Sequence, residues 1–89
     1  MFNKVIFNLD VTALRKGGHI RVASNGREYV NIVAVMRDVD RFGNNFYAYT
    51  EPTQEERERN CPKNFCGNGY SLEFDADGRL ISKAGVKKI

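Results

Sequence analysis

Apolar and polar residues alternate along the first half of the chain. An apolar residue stands at every second position from Val5 to Val11, which is the period of a half-buried strand. The pattern predicts a first strand over Asn3–Val11. A shorter alternation over Gly18–Ala23 ends at Ser24-Asn25-Gly26, a two-residue hairpin signal, so a second strand is expected to pair with the third.

The third predicted strand, Arg27 to Asp38, is the longest. A two-residue period places Val30, Ile32, Ala34 and Met36 on one face of it. If that face lines the interior, Val33 and Val35 remain outside and need a cover. Two-fold dimers are the commonest assemblies, and linked sites help a small domain to hold a long polyanion. We therefore expect a homodimer or higher homo-oligomer with Val33 and Val35 at its interface.

Turn-forming residues mark two further hairpins. Asp40 to Asn45 joins the third strand to an aromatic strand over Phe46–Thr50. Asp75 to Gly78 separates two short apolar runs, Tyr70–Phe74 and Arg79–Lys83. The second run is a possible sixth strand.

The segment between Glu51 and Asn60 has helical character. Thr53 with Glu56 three residues later forms a capping box, which predicts one short helix. The helix has no apolar face and reads as a solvated connector, although Glu55, Glu56 and Glu58 could engage a basic replication or transcription protein. The Asn, Pro and Gly content of Asn60–Gly69 predicts a loop.

Several short strands with closely spaced turns indicate an all-β fold with small α content. The 89 residues suit one small domain over 1–89, with a short basic tail over 83–89. We expect an OB-like, partly open barrel of five to six strands with one short helix. An OB-fold usually carries its helix between the third and fourth strands, whereas this helix follows the fourth. An SH3-like barrel and an open curved sheet are therefore alternatives.

The composition is ordinary for a globular protein, with 42% apolar and 28% charged residues, so a compact core is expected. No apolar run is long enough for a membrane span or a signal peptide, and we expect a cytoplasmic protein, in the host cell if a phage encodes it. Cys61 and Cys66 are expected as reduced thiols. With His19 they make one ligand too few for structural zinc, so no metal or other cofactor is expected.

The inventory of reactive groups does not support catalysis. The chain has one histidine, no convergent carboxylate pair and no motif for a nucleophile or a phosphate-binding loop. We expect a protein that is not an enzyme.

Cations and aromatic residues are interleaved, although the formal net charge is only +3. The chain is basic from Met1 to Val30 and acidic between Glu51 and Asn60, and a basic groove can follow a phosphate backbone through counterion release. Outward-facing aromatic rings beside cations can stack unpaired bases. The candidate nucleic-acid-binding residues are Arg15, Lys16, His19, Arg21, Arg27, Tyr29, Arg37, Arg41, Phe42, Tyr47 and Tyr49.

Each of these residues also has a structural interpretation. His19 can be a strand-surface histidine with an internal hydrogen bond, and tyrosines are common on sheet surfaces. A phenylalanine in a small β-domain is usually part of the core, but Phe42 stands at a hairpin tip where there is little core to enter.

The order of several stretches carries a resemblance. They are Asn8–Thr12, Lys16–Val22, Gly26–Ile32, Asp38–Asn45, Thr53–Arg57 and Gly67–Gly69. In this order, up to about Leu72, the chain resembles the small single-stranded-DNA-binding proteins of bacteriophages, including those of N4-like phages. The resemblance implies an OB-like domain that coats single strands in replication or assists transcription from opened promoter DNA. Many single-strand binders end in an acidic tail, whereas this chain ends in the basic residues of 83–89.

The leading hypothesis is a non-enzymatic single-stranded-DNA-binding protein that combines backbone electrostatics with aromatic stacking. An RNA-binding domain on the same scaffold is one alternative, since stacking does not distinguish the two sugars. A phage protein-interaction or inhibitor module is another, because an exposed sheet edge and the acidic helix would suffice for it.

Overall fold

The computed structural model describes residues 2–84 and is mostly β. Its elements in chain order are β1 (Phe2–Leu9), α1 (Val11–Lys16), β2 (Arg21–Val22), β3 (Glu28–Tyr29), β4 (Ile32–Met36), β5 (Phe46–Thr50), α2 (Gln54–Glu58), β6 (Phe65–Phe74) and β7 (Leu80–Lys83). None of the described helices has the length and apolar character needed to cross a membrane. Most of the predicted tail, 85–89, lies outside the described residues.

The strands form two sheets. The larger follows the order β1-β6-β5-β4, with β7 also pairing with β6, and the smaller is the antiparallel pair of β2 and β3. The larger sheet has five antiparallel strands and is not closed. The predicted predominance of β structure is confirmed, whereas the OB-like barrel stays a prediction. Residues 2–84 contain two short helices rather than the one expected.

By its internal contacts the chain divides into two compact units. Of the described residues, unit 1 holds 2–8, 35–47 and 68–84, and unit 2 holds Leu9–Ala34 and Ala48–Gly67. The fully buried side chains Ala48, Thr50 and Cys66 all belong to unit 2. A single domain over 1–89 stays a prediction.

The first strand ends two residues earlier than predicted, because a helix begins there. Asp10 is the N-cap of α1 and its Oδ1 accepts from the Ala13 N–H at 3.1 Å. Arg15 and Lys16 lie in the last turn, where the negative end of the helix dipole favours cations. Val11 is therefore the first helical residue instead of the last strand residue.

The prediction of one long third strand is wrong, because the chain is not in a strand at Val30 and Asn31. Its first part is β3, in the hairpin with β2 that the Ser24-Asn25-Gly26 signal predicts. Its second part is β4, which pairs with β5. Just beyond β4, the Arg37 N–H donates to the Asn45 carbonyl at 2.9 Å. The alternation of inward and outward side chains in β3 therefore does not continue into β4.

The exposure along β4 differs in part from the expected faces. Ile32, Val33 and Val35 are half-buried, whereas Ala34 and Met36 are exposed, Met36 to 69%. Ala34 and Met36 are thus the most exposed side chains of β4. An oligomer interface at Val33 and Val35 stays a prediction.

The remaining hairpins form where the turn residues predict them, but the predicted loop before β6 is half strand. β6 begins at Phe65 and runs through Gly69, which was expected to lie in that loop. Gly69 is buried, and a Cβ there would lie 2.7 Å from Phe7 Cδ1 and 2.9 Å from the Ile6 carbonyl oxygen. Only glycine allows this close approach of β1 and β6 within unit 1.

The second helix matches its prediction closely. In α2 the Thr53 side chain accepts from the Glu56 N–H at 3.2 Å, and Glu56 Oε1 accepts from the Thr53 N–H at 2.9 Å. Both halves of the capping box are present.

Candidate nucleic-acid interface

Cations lie over aromatic rings throughout the described chain. Six pairs have the cation within about 6 Å of the ring centroid, the distance at which a cation is attracted by the ring. In unit 1 the pairs are Lys4 with Phe74, Arg37 with Tyr47, Arg41 with Phe42, and Lys83 with Tyr70. In unit 2 they are Arg21 with Tyr29 and Lys63 with Tyr49.

Phe42 is the most exposed of these rings, at 75%, and the Asp40 carboxylate holds the turn that carries it. Asp40 Oδ1 accepts from the Phe42 N–H at 2.8 Å and the Asn44 N–H at 3.1 Å. Asp40 Oδ2 accepts from Arg37 Nη2 at 3.1 Å. These bonds lower the pKa of Asp40, the Asn44 N–H having the largest effect. Gly43, at φ +86°, completes the turn.

A cleft opens beside this turn, wholly within unit 1. Its volume is about 340 Å³, and its lining includes Arg41, Phe42, Gly43, Asn44, Tyr70 and Lys83. The sequence interpretation named Arg41 and Phe42 as nucleic-acid contacts, and the structure places them together here.

The sequence interpretation did not name Tyr70 and Lys83 as contacts, and in the structure a β-bulge brings them to one face. β6 and β7 pair Phe74 with Leu80, but then Glu73 with Ser82, so Ile81 is an extra residue. The shift places Lys83 opposite Leu72, on the face that Tyr70 shares. Lys83 Nζ then lies 4.7 Å from the centroid of the Tyr70 ring.

The predicted tyrosines of β5 are less exposed than expected. Ala48 and Thr50 point to the buried side, and Tyr47 and Tyr49 alternate with them, but both rings are half-buried. Arg37 Cζ lies 5.1 Å from the Tyr47 centroid. Lys63, which the sequence interpretation did not name, lies 5.5 Å from that of Tyr49.

The predicted basic residues of the first third all belong to unit 2 and are exposed. Arg15 and Lys16 end α1, and Arg21 and Arg27 lie in the β2–β3 hairpin. Arg21 Cζ is 5.6 Å from the ring centroid of Tyr29, its partner across the hairpin. The two units thus divide the candidate residues between them.

His19 has a structural role that leaves little of it exposed. It precedes β2, and its side chain is 10% exposed. Nε2 lies 2.7 Å from Glu56 Oε1 and Nδ1 lies 2.5 Å from Thr50 Oγ1. A carboxylate only accepts, so Nε2 carries the proton, and in a neutral ring Nδ1 accepts from the Thr50 hydroxyl. His19 therefore has no free ring nitrogen for a phosphate or base.

Further hydrogen bonds extend this arrangement into a network. Asn64 Nδ2 donates to Thr50 Oγ1 at 3.1 Å and to the Ala13 carbonyl at 3.0 Å. The pKa of Glu56 is lowered to about 2, first by the Thr53 N–H and then by His19. We call His19, Thr50, Glu56 and Asn64 the His19 network.

The acidic side chains of α2 already have partners within the protein. Glu55 Oε1 pairs with Arg59 Nη2 at 2.8 Å, and Glu58 Oε1 accepts from Gln54 Nε2 at 3.2 Å. Glu56 belongs to the His19 network. Glu55 and Glu58 are exposed, and a role for them in binding a protein partner stays a prediction.

Cysteine chemistry contributes little to the interface. Both cysteines are free, Cys61 exposed and Cys66 buried, and burial raises the pKa of Cys66. Within 2–84, no three His, Cys, Asp or Glu side chains converge as metal ligands.

No protein-family model, curated protein or solved structure matches this chain.

Proposed function

We propose that this chain is a non-enzymatic single-stranded-DNA-binding protein. The observation that carries the proposal is the set of four cation-covered rings in unit 1, with Phe42 exposed to 75%. A single strand offers unpaired bases and phosphates in turn, and such pairs meet both needs: the ring stacks a base while its cation neutralises a phosphate. In a duplex the bases are already stacked on one another, so only its phosphates can interact with this surface.

Electrostatics supports the same proposal. Arg15, Lys16, Arg21 and Arg27 are exposed on unit 2 and add positions for a phosphate backbone. We further propose the OB-like barrel and the replication or transcription role that the resemblance implies. In the described residues the path of the larger sheet is open, with β1 and β4 as its outer strands.

A fluorescence-anisotropy titration tests the function directly. The full chain is titrated into a labelled single-stranded oligonucleotide and into a duplex of the same length, at two salt concentrations. We expect tighter binding to the single strand and an affinity that falls as salt rises. Equal affinity for the duplex, or no dependence on salt, would contradict the proposal.

A matched RNA oligonucleotide extends this titration, because base stacking alone does not discriminate against RNA. Only contacts to the 2′-OH distinguish the sugars. Competition in which the DNA displaces the RNA supports a DNA-binding protein. The reverse order would replace it with an RNA-binding domain.

We also propose self-association through an outer strand of the larger sheet. β4 is such a strand and presents Met36 at 69% exposure. Light scattering at tens of micromolar should show a dimer or larger species that Met36→Glu weakens. A monomer would remove this proposal and leave the DNA-binding proposal intact.

A further inference from the structure

The cleft between the Phe42 turn and the end of β7 combines two aromatic rings with two cations. Arg41 Cζ lies 4.8 Å from the Phe42 centroid and Lys83 Nζ lies 4.7 Å from the Tyr70 centroid. All four side chains line the same cleft within unit 1. Each ring is thus paired with a cation that can turn towards an anion bound in the cleft.

Among residues 2–84, no carboxylate forms an ion pair with either of these two cations. The ion pairs there include His19 with Glu56, Arg37 with Asp40 and Arg59 with Glu55. Asp40, the nearest acidic residue in sequence to Arg41, already accepts from two backbone N–H groups and from Arg37. The cleft therefore favours an anionic ligand.

The size of the cleft limits what it can hold. Its 340 Å³ is at the lower end of the roughly 300–1,000 Å³ of small-molecule sites. That space suits one ring system with one charged group. It does not suit a long stacked segment.

The turn that forms one wall is fixed before any ligand arrives. Asp40 holds the Phe42 and Asn44 N–H groups, and the Gly43 N–H donates to the Asp40 carbonyl at 3.1 Å. A turn whose backbone is already ordered loses little further conformational freedom when a ligand binds. The turn therefore presents Phe42 to a base at small additional cost in conformational entropy.

We infer that this cleft binds a single nucleotide unit, with the base stacked on Phe42 beside Tyr70 and its phosphate held by Arg41 and Lys83. The inference deepens the proposed function and rests on it. It assigns one defined nucleotide subsite to the protein, and it adds Tyr70 and Lys83, which were not among the candidate nucleic-acid-binding residues.

The test is an NMR titration of the full ¹⁵N-labelled chain with thymidine 5′-monophosphate, thymidine and inorganic phosphate in separate samples. Thymidine 5′-monophosphate carries both chemical features, and the other two carry one each. We expect the monophosphate to shift the Gly43 and Asn44 amide signals, with saturation at lower concentration than for either of the others. Shifts confined to the β2–β3 hairpin would overturn the cleft assignment.

Variants separate the two halves of the site. Phe42→Ala should weaken monophosphate binding about fivefold to a hundredfold, the loss expected for one base stack. Lys83→Gln should reduce the preference for the monophosphate over thymidine, because Arg41 remains as the second phosphate contact. Lys63→Gln is the matched control, because it changes a cation over an aromatic ring outside the cleft. Equal effects of Lys63→Gln and Lys83→Gln would overturn the assignment.

A labelled single-stranded oligonucleotide in the same buffer separates the two proposals. If the oligonucleotide binds but the monophosphate does not, the nucleotide subsite is wrong and the DNA-binding proposal stands. If neither binds, the DNA-binding proposal fails and takes the subsite with it. Saturable monophosphate shifts at Gly43 and Asn44 that Phe42→Ala removes support the subsite.

Discussion

The His19 network of unit 2 and the Phe42 cleft of unit 1 use polar groups in opposite ways. In the network, Thr50 is 1% exposed, and its hydroxyl has partners in both His19 and Asn64. In the cleft, Phe42 is 75% exposed, and Arg41 and Lys83 lie on rings with no carboxylate partner among the described residues. The first arrangement is complete by itself. The second has unused capacity for a ligand.

The contrast shows why residue type is a poor guide to a site. The order hydroxyl, imidazole, carboxylate in Thr50, His19 and Glu56 is that of a nucleophilic triad. The Thr50 oxygen is buried, however, so it is not open to a substrate. His19 was a candidate contact on chemical grounds, whereas the missed Lys83 lines the cleft. Exposure and partnering decide between them.

Thr50→Val gives the largest expected effect, and it acts on stability. The substitution keeps the shape and removes the hydroxyl that His19 and Asn64 use. Each buried partner left unsatisfied costs about 1–3 kcal/mol. Thermal or urea unfolding should show the loss, while single-strand affinity below the transition is unchanged. Thr12→Val, at an exposed site on α1, is the control and should change stability little. A stable variant that binds DNA poorly would reverse the comparison.

Phe42→Ala should have the complementary effect. Loss of one stacking ring weakens single-strand binding by about 1–3 kcal/mol, and the exposed position leaves unfolding nearly unchanged. Anisotropy and thermal melting measure the two quantities. Val11→Ala, at another exposed apolar residue, controls for general loss of apolar surface. A lowered melting temperature with intact binding would identify Phe42 as a packing residue.

Acid should weaken the His19 network through Glu56. Its pKa is lowered to about 2 in the folded chain from an ordinary 4.5, so its contribution to stability is present above about pH 4.5 and is lost as the pH falls towards 2. Urea midpoints across this range should fall for the wild type and fall less for Glu56→Gln. Identical pH profiles for the two proteins would show that Glu56 does not stabilise the fold.

Arg41→Gln and Lys83→Gln should have the smallest effects, visible in the salt dependence. Each phosphate contact contributes about 0.7 to the slope of log affinity against log salt for a single strand. Each variant should reduce the slope by about that amount. Arg79→Gln, in the turn between β6 and β7, is the control and should leave it unchanged.

The fourfold replacement of Arg15, Lys16, Arg21 and Arg27 by Ala should also reduce the slope. A folded fourfold variant that binds like the wild type would exclude that basic group.

Local signals were enough to predict several elements. The capping box of Thr53 and Glu56 and the aromatic strand over Phe46–Thr50 depend on neighbouring residues, and both are present. The turns at Ser24-Asn25-Gly26 and Asp75–Gly78 also form. The signals for α1 were readable too, since Asp10 can cap a helix that ends in Arg15 and Lys16. The apolar alternation through Val11 outweighed them.

The rest depended on contacts between distant residues. No local signal shows that the third strand breaks at Val30 and Asn31, because β4 takes its register from β5. No local signal shows the bulge at Ile81 either, which shifts the observed register from Phe74 with Leu80 to Leu72 with Lys83. Sequence reasoning therefore found the Arg41 and Phe42 side of the cleft and missed its other side.

Photocrosslinking tests most directly whether the unit 1 surface binds single-stranded DNA. The full chain is irradiated with an oligonucleotide that carries 5-iodouracil, and the adducts are located by peptide mass spectrometry. The account predicts adducts at Phe42, Tyr47 and Tyr70 that excess unlabelled single strand suppresses and excess duplex does not. Adducts confined to unit 2, or adducts that the duplex suppresses equally well, would contradict it.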